Sequence, residues 1–246
     1  MKNFRFFIRP DDLKDGSIIL TGRLYHKIKN VLRYHKGDEI TLLISNKKSF
    51  TGNISEISDD KIIVAISSEK SIASPTLFTT LYISLLKAKN FEDSIKKATE
   101  LSVNRIVPVM TERSVVRLND GDLQKKQQRW EKIISEAAAQ TKRDDIPELA
   151  DIVDISDLKH IDDDADLKIV CDENSKTHIK DILKNNDSVN SISAIIGPEG
   201  SLSKSEIKLV NSLGFRSVLL TNTILRAETV PIFLMSVLQY EFGELR

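Results

Sequence analysis

From residue 81 to residue 242 strand-like and helix-like segments alternate without interruption, and this constrains the chain more than any other feature. The order is LYISLLK, FEDSIKKATEL, RIVPVM, QKKQQRWEKIISEAAAQ, DLKIVC, THIKDILK, SISAIIG, SKSEIKLVNSL, SVLLT and PIFLMSVLQYEF. Short β-branched runs separated by amphipathic stretches predict an α/β layer on a mostly parallel sheet, and such sheets bind ligands at the carboxyl ends of their strands. The last two helices carry end signals. Ser203 and Glu206 have capping-box spacing, Gly214 suits a left-handed stop, and Thr229 precedes Pro231 as a cap for the final helix.

The first 70 residues read differently. FRFFI, SIIL, DEITLLIS, SFTGNISEIS and KIIVAIS are short strands broken by Gly16, Gly22, Gly37 and Gly52, which predicts a small β domain. Within it RLYHKIKNVLRY places Leu24, Ile28, Val31 and Leu32 on one helical face and leaves Lys27, Lys29 and Asn30 outside. The serine-rich SSEKSIASPT has the composition of a linker and sets the expected division, a β domain over residues 1–72 and an α/β domain over residues 73–246.

Net charge is zero, with 36 Lys/Arg against 36 Asp/Glu, yet the charges are unevenly placed. Residues 1–70 carry 13 basic against 9 acidic side chains and residues 87–146 carry 13 against 10, whereas residues 147–190 carry 5 against 12. Two basic regions, cancelled by one acidic strip, leave room for a polyanion on one face, although charges on a surface cluster by chance too. No apolar run approaches the length that crosses a bilayer, the N-terminus meets acidic residues too early for a secretory signal, and the single cysteine, Cys171, fits a reducing compartment. The expectation is a cytoplasmic protein with no membrane association. Cys171 ends an apolar run and reads as a small buried hydrophobe.

IIGPEGSLSKSE, residues 195–206, runs a strand through a glycine-rich turn into a helix. It is no phosphate loop: G-x-x-x-x-G-K-[ST] and G-x-G-x-x-G are both missing, and Glu199 puts a carboxylate where a phosphate needs donors. A ligand with a positive centre or an adenine edge suits it better, and an ordinary tight turn is the plain alternative. LLTNTILRAETVP, residues 219–231, again places a polar loop between strand and helix, where Arg226 and Glu228 either pair, bind something or cap. His26, His35, His160 and His178 have no spacing that completes a metal site. Trp130, Ile133, Ile134 and Ala137 recur at helical spacing as core or dimer contact, while Glu136 and Gln140 share a face that could support a site from behind.

Taken together, GPEGS-x-S-x-x-E at 197–206 and LLTNTILRAET at 219–229 resemble the paired C-terminal signature of the ribosomal RNA small subunit methyltransferase E family, a branch of the SPOUT methyltransferases. HKIKNVLRYHKGDEI at 26–40, KATELSVNRIVPVMTERSVVR at 97–117 and RWEKIISEAAAQTKRDDIPEL at 129–149 resemble further blocks of that family in its order. The resemblance implies a PUA-like β-barrel domain that binds RNA, followed by a SPOUT-type parallel sheet whose C-terminal part forms a deep trefoil knot. It implies S-adenosylmethionine as cofactor, no metal, a homodimer, and transfer of methyl to N3 of a uridine in 16S ribosomal RNA or the small ribosomal subunit. Two alternatives stand beside it: a knotted RNA-binding or ribosome-assembly protein without catalysis, and a SPOUT enzyme acting on another RNA.

Carried over position by position, the cofactor residues are Ile196, Gly197, Pro198, Glu199, Gly200, Leu220, Thr221, Asn222, Ile224, Leu225 and Arg226. Arg226 and Glu228 are the catalytic candidates, and Lys27, Lys29, Arg33, Arg113, Arg117 and Arg143 the RNA-binding ones. The chain departs from the family pattern where Ser102, Lys142 and Ser201 replace usual glycines, and where Thr221-Asn222-Thr223 replaces Gly-x-Arg. At Thr221 a side chain stands where the pattern has none, which is expected to crowd the cofactor.

Overall fold

The computed structural model describes residues 5–14, 16–44, 47–114, 120–184 and 189–243. The chain divides into two units, Met1–Ser74 with Ala138–Ile146, and Pro75–Ala137 with Pro147–Arg246. The first holds six strands, β1 (Arg5–Phe7), β2 (Leu13–Lys14), β3 (Ser17–Thr21), β4 (Glu39–Ile44), β5 (Lys48–Ile57) and β6 (Lys61–Ser71). They lie in the order β1-β4-β5-β6-β3-β2, parallel between β1 and β4 and antiparallel elsewhere. Alternating residues from both ends of the order, Phe6 and Ile18 among them, share one core with Leu42, Phe50, Ile54 and Ile62, so the sheet curls around it. Segment 138–146 joins this unit through Arg5, which donates to the Lys142 carbonyl at 2.6 Å and pairs with Asp144.

The helix expected at 23–34 forms as α1 (Gly22–His26) followed by one π turn, Lys27–Val31, closed by Leu32 N–H on the Lys27 carbonyl at 2.9 Å. The wider turn rotates the apolar stripe. Ile28 is buried, but Val31, expected on the same face, is 63% exposed.

The second unit carries β7 (Phe78–Ser84), α2 (Ala88–Glu100), β8 (Arg105–Met110), α3 (Asp120–Gln140), β9 (Glu148–Leu149), β10 (Val153–Asp154), β11 (Leu167–Cys171), α4 (Ile179–Lys184), β12 (Ser191–Ile196), α5 (Lys204–Ser212), β13 (Arg216–Val218) and α6 (Val230–Phe242), with α3 ending just inside the other unit's segment. The sheet is parallel throughout, in the order β10-β8-β7-β12-β11-β13, with β9 also on β8. The alternation read from the sequence is reproduced element by element; β9, β10 and the short 3-10 turn Ile155–His160 were not expected. Trp130 is core, its ring 4.5 Å from that of Phe91 on α2. Glu136 is instead exposed beside Lys132, at 3.9 Å.

At the end of α5 Gly214 takes φ +91°, and at its start Ser203 and Glu206 form the full capping box, in which Glu206 accepts from Ser203 N–H at 2.7 Å. Glu206 is buried, and its other oxygen accepts from Glu112 N–H at 2.8 Å, so the carboxylate is satisfied twice by backbone. Thr229 holds the N-cap position of α6 as expected, with Pro231 in the first turn, but its side chain makes no capping bond, and its N–H closes a turn on the Arg226 carbonyl at 2.8 Å.

After β13 the chain turns back. Leu219 bridges His178 in the loop after β11, with Leu219 N–H on the Thr177 carbonyl at 2.8 Å and Ile179 N–H on the Leu219 carbonyl at 3.0 Å, before α6 packs on α2. A chain that leaves the sheet edge and returns across the loop of an earlier strand is consistent with the trefoil knot that the resemblance implies.

Asp166 fixes the start of the two strands beneath these loops. Its carboxylate accepts from Asn190 N–H and Ser191 N–H, both at 2.9 Å, and from the Ser191 hydroxyl at 3.0 Å. These bonds favour the charged form and hold its pKa below the ordinary value. A lowered folded pKa gives stability that is present above the unfolded value of about 3.9 and is lost as pH falls through the folded value. Thermal melting from about pH 7 to about pH 2 is expected to show Asp166→Asn less stable than wild type at neutrality, with the difference closing at the acid end. A pH-independent difference overturns this reading.

Candidate functional site

Three loops emerge at the carboxyl ends of β11, β12 and β13, and together they line a cavity of about 600 Å³ within the second unit. The expected cofactor residues all lie on its wall except Gly200. The cavity also takes in residues that reading the sequence missed: Asn90 from α2, Cys171 at the end of β11, and Asp172 and Glu173 from the loop that follows. The signal for the last two was present in LKIVCDEN, where a strand of a parallel sheet ends directly in two carboxylates.

The glycines serve the loop itself. A Cβ on Gly197 would lie 3.2 Å from Leu202 N and 3.3 Å from its Cγ, so this glycine admits the returning backbone of its own turn. At Gly200 a Cβ would meet Arg113 at an ordinary 3.5 Å, and the left-handed conformation falls one residue later, on Ser201 at φ +58°. Ser201 N–H closes the turn on the Pro198 carbonyl at 2.9 Å, and its hydroxyl donates to Glu173 Oε1 at 2.9 Å. The other departures follow suit: Ser102 and Lys142 adopt φ +69° and +59°, so the left-handed backbone is kept without glycine at about 1 kcal/mol each. Thr221 is different. It has no left-handed φ, and its hydroxyl donates to the Thr223 carbonyl, which folds the side chain onto its own loop.

Four carboxylates and one cation reach the cavity: Asp172, Glu173, Glu199, Glu228 and Arg226. Most of the carboxylates are engaged. Glu199 accepts from Lys87 N–H at 3.4 Å and Asn90 Nδ2 at 3.3 Å, at the first turn of α2 where free N–H groups favour an anion. Asp172 accepts from Asn174 N–H at 2.9 Å, and Glu173 from Ser201. Arg226 and Glu228 form no ion pair with each other or with any other described residue; Arg226 is exposed and Glu228 half-buried. Among the described residues neither an ion pair nor a side-chain capping bond is formed by either of them. Cys171 is on the wall, but burial pushes its thiol up to about 12, which suits packing and not reactivity.

The basic residues expected at RNA divide sharply. Lys27 is exposed, as is Arg33, which sits at φ +51°. Lys29 is tied to the Ser58 carbonyl at 3.0 Å and to Tyr25. Arg113 donates to the Gly200 carbonyl at 2.8 Å and so braces the cavity loop. Arg143, expected at RNA, has a side chain 7% exposed and held in a two-pronged pair with Asp145 at 2.6 and 2.9 Å. Arg117 lies outside the described residues. Among the described residues no group of three or more His, Cys, Asp or Glu side chains could hold a metal ion, and no helix is long and apolar enough to cross a membrane.

Comparison with known proteins finds two family matches along the chain. The family described as RNA methyltransferase domain matches residues 73–239, and the RNA methyltransferase PUA domain matches residues 20–67. The ribosomal RNA small subunit methyltransferase E of Bacillus subtilis is 30% identical over 234 residues, 92% of this chain and 91% of that protein. Its counterpart in Mesomycoplasma hyopneumoniae is 31% identical over 233 residues, 95% of this chain and 97% of that protein. The crystal structure of ribosomal RNA small subunit methyltransferase E from Neisseria gonorrhoeae bound to S-adenosyl methionine matches with a TM-score of 0.88 at 25% identity, covering 99% of this chain and 100% of that one. On these matches, and with a parallel sheet whose strand ends enclose a cavity, the chain belongs to the ribosomal RNA small subunit methyltransferase E family.

Proposed function

We propose that this chain binds S-adenosylmethionine in the cavity at the ends of β11, β12 and β13 and methylates N3 of a uridine in 16S ribosomal RNA. The observation that carries the reading is the cavity itself, a space of about 600 Å³ lined mainly by three loops, with four carboxylates against one cation on its wall. That wall fits a ligand with a sulfonium, an ammonium and an adenine edge, and fits a polyphosphate badly. Thr221 does not oppose it, because its side chain is bonded back to its own loop.

Bound there, S-adenosylmethionine supplies a methyl group on a sulfonium, a leaving group that needs no proton. The protein's tasks are to align the uridine, to take the N3 proton and to stabilise the charge that spreads onto the two flanking carbonyl oxygens. We assign that charge to Arg226, an exposed cation that lines the cavity and whose side chain has no described protein partner. Of the four carboxylates Glu228 is the one without a described hydrogen bond, and we assign it the proton. On the β domain, exposed Lys27 and Arg33 are the proposed phosphate contacts, which a salt titration of RNA binding measures.

We also infer a homodimer. Ile232, Ser236 and Tyr240 repeat every fourth residue along the exposed side of α6, with Ile232 38% and Tyr240 79% exposed, and Ile224 in the preceding loop is 82% exposed. A second copy would cover this stripe, and sedimentation of the wild type as a monomer at micromolar concentration would remove the inference.

Mass spectrometry of 16S ribosomal RNA from a strain lacking the chain is expected to show one methyl-uridine lost and restored by the intact protein. An unchanged methyl-uridine pattern overturns the function. With purified protein and RNA, at saturating S-adenosylmethionine, Arg226→Ala is expected to lower kcat by about a hundredfold. A variant within a few-fold of wild type would remove Arg226 from the mechanism.

A further inference from the structure

We infer that Ser201 is a positioning residue that fixes the carboxylate of Glu173 on the cavity wall. The inference rests on the cofactor reading of that cavity. The two residues lie 28 positions apart, on the loops after β12 and β11, and both line the cavity. The Ser201 hydroxyl donates to Glu173 Oε1 at 2.9 Å, and Glu173 Oε2 has no described partner.

The backbone on both sides is already held. On one side Asp172 N–H bonds the Val218 carbonyl at 2.9 Å, and the Asp172 carboxylate accepts from Asn174 N–H at 2.9 Å. On the other, Ser201 N–H bonds the Pro198 carbonyl at 2.9 Å while Arg113 holds the Gly200 carbonyl at 2.8 Å. What stays loose is the Glu173 side chain, exposed and with three rotatable bonds, and a ligand that used it would have to immobilise it.

Ser201 removes that freedom before the ligand arrives. It does so from φ +58°, a conformation that favours glycine, although Gly200 stands next to it and is not the residue in that conformation. The turn's own hydrogen bonds bear that conformation, and the described partner of the hydroxyl it carries is Glu173 on the same cavity wall. The free oxygen of Glu173 is then presented to a hydrogen-bond donor of the bound methyl donor.

The test is a double-mutant cycle read by calorimetry with S-adenosylmethionine. Ser201→Ala keeps the Cβ and loses the hydroxyl, and is expected to weaken binding about five- to tenfold, the effect of a partly exposed hydrogen bond to a charged group. Glu173→Ala should weaken it at least as much, and the double variant should bind no worse than Glu173→Ala alone. Wild-type affinity in either single variant, or a Ser201→Ala loss that persists without Glu173, overturns the proposal. A merely structural serine would lower the melting temperature of the free protein, which is expected to stay unchanged in Ser201→Ala. Carboxyl-carbon NMR of the free protein separates the proposal from the cofactor reading. If wild type fails to bind S-adenosylmethionine, the cofactor reading falls; a shifted Glu173 side-chain carboxyl resonance in Ser201→Ala still supports the tether, and an unchanged one sinks it.

Discussion

The site depends first on the register between β11 and its two neighbours. Leu167 to Val170 pair with Ile192 to Ile195 on one side, and Ile169 to Cys171 with Arg216 to Val218 on the other, all parallel. Parallel pairing sends the three following loops out at the same end, so residues 171–173, 196–202 and 218–228 converge without being near in sequence. Parallel strands alone would leave those loops merely side by side. Backbone bonds between Leu219 and the segment Thr177–Ile179 stitch the third loop to the first, and α6 then carries the chain back to α2. A one-residue slip in β11 would move Asp172 and Glu173 off the wall and break the Asp166 contacts at the other end of the strand.

Left-handed backbone in this chain is carried by side-chain-bearing residues as well as by glycine. At Ser102, Lys142 and Ser201, where the resemblance led to glycine being expected, φ is positive and a side chain bears it. The hydrogen bonds that define each turn outweigh a strain of about 1 kcal/mol: Val103 N–H reaches the Ala98 carbonyl after Ser102, Arg143 N–H reaches the Ala138 carbonyl after Lys142, and Ser201 N–H reaches Pro198. Thr221 shows the opposite solution. There the backbone needs no positive φ, so the extra side chain costs only its own placement, and the Thr223 carbonyl provides it.

Elements long enough to show a period were legible in the sequence, and those that depend on a neighbour were not. The strands and helices of the second unit announce themselves through β-branched runs, apolar spacing and the Ser203–Glu206 box. β9 and β10 are two residues each, too short for any period, and exist because β8 offers them an edge. The π turn at Lys27–Val31 was hidden for a related reason. A helical stripe is read at a fixed period, and one widened turn displaced Val31 from the stripe while leaving Ile28 within it.

The candidate site was legible in its loops and much less so in its charges. Sequence shows that a side chain is charged but not where the charge is spent. Arg113 is spent on a carbonyl of the cavity loop, Arg143 on Asp145, Lys29 on Ser58 and Glu199 on the start of α2. Each of these bonds gives its polar group a partner inside the protein and leaves less of it for a substrate. The charges that the fold leaves without such a partner at the cavity are Arg226 and Glu228, which flank Ala227, a residue buried at the start of the turn into α6. Holding two opposite charges two residues apart without pairing them forgoes at most a small contact, and the function proposed above gives both of them a use, since deprotonation of its substrate creates negative charge beside the lost proton.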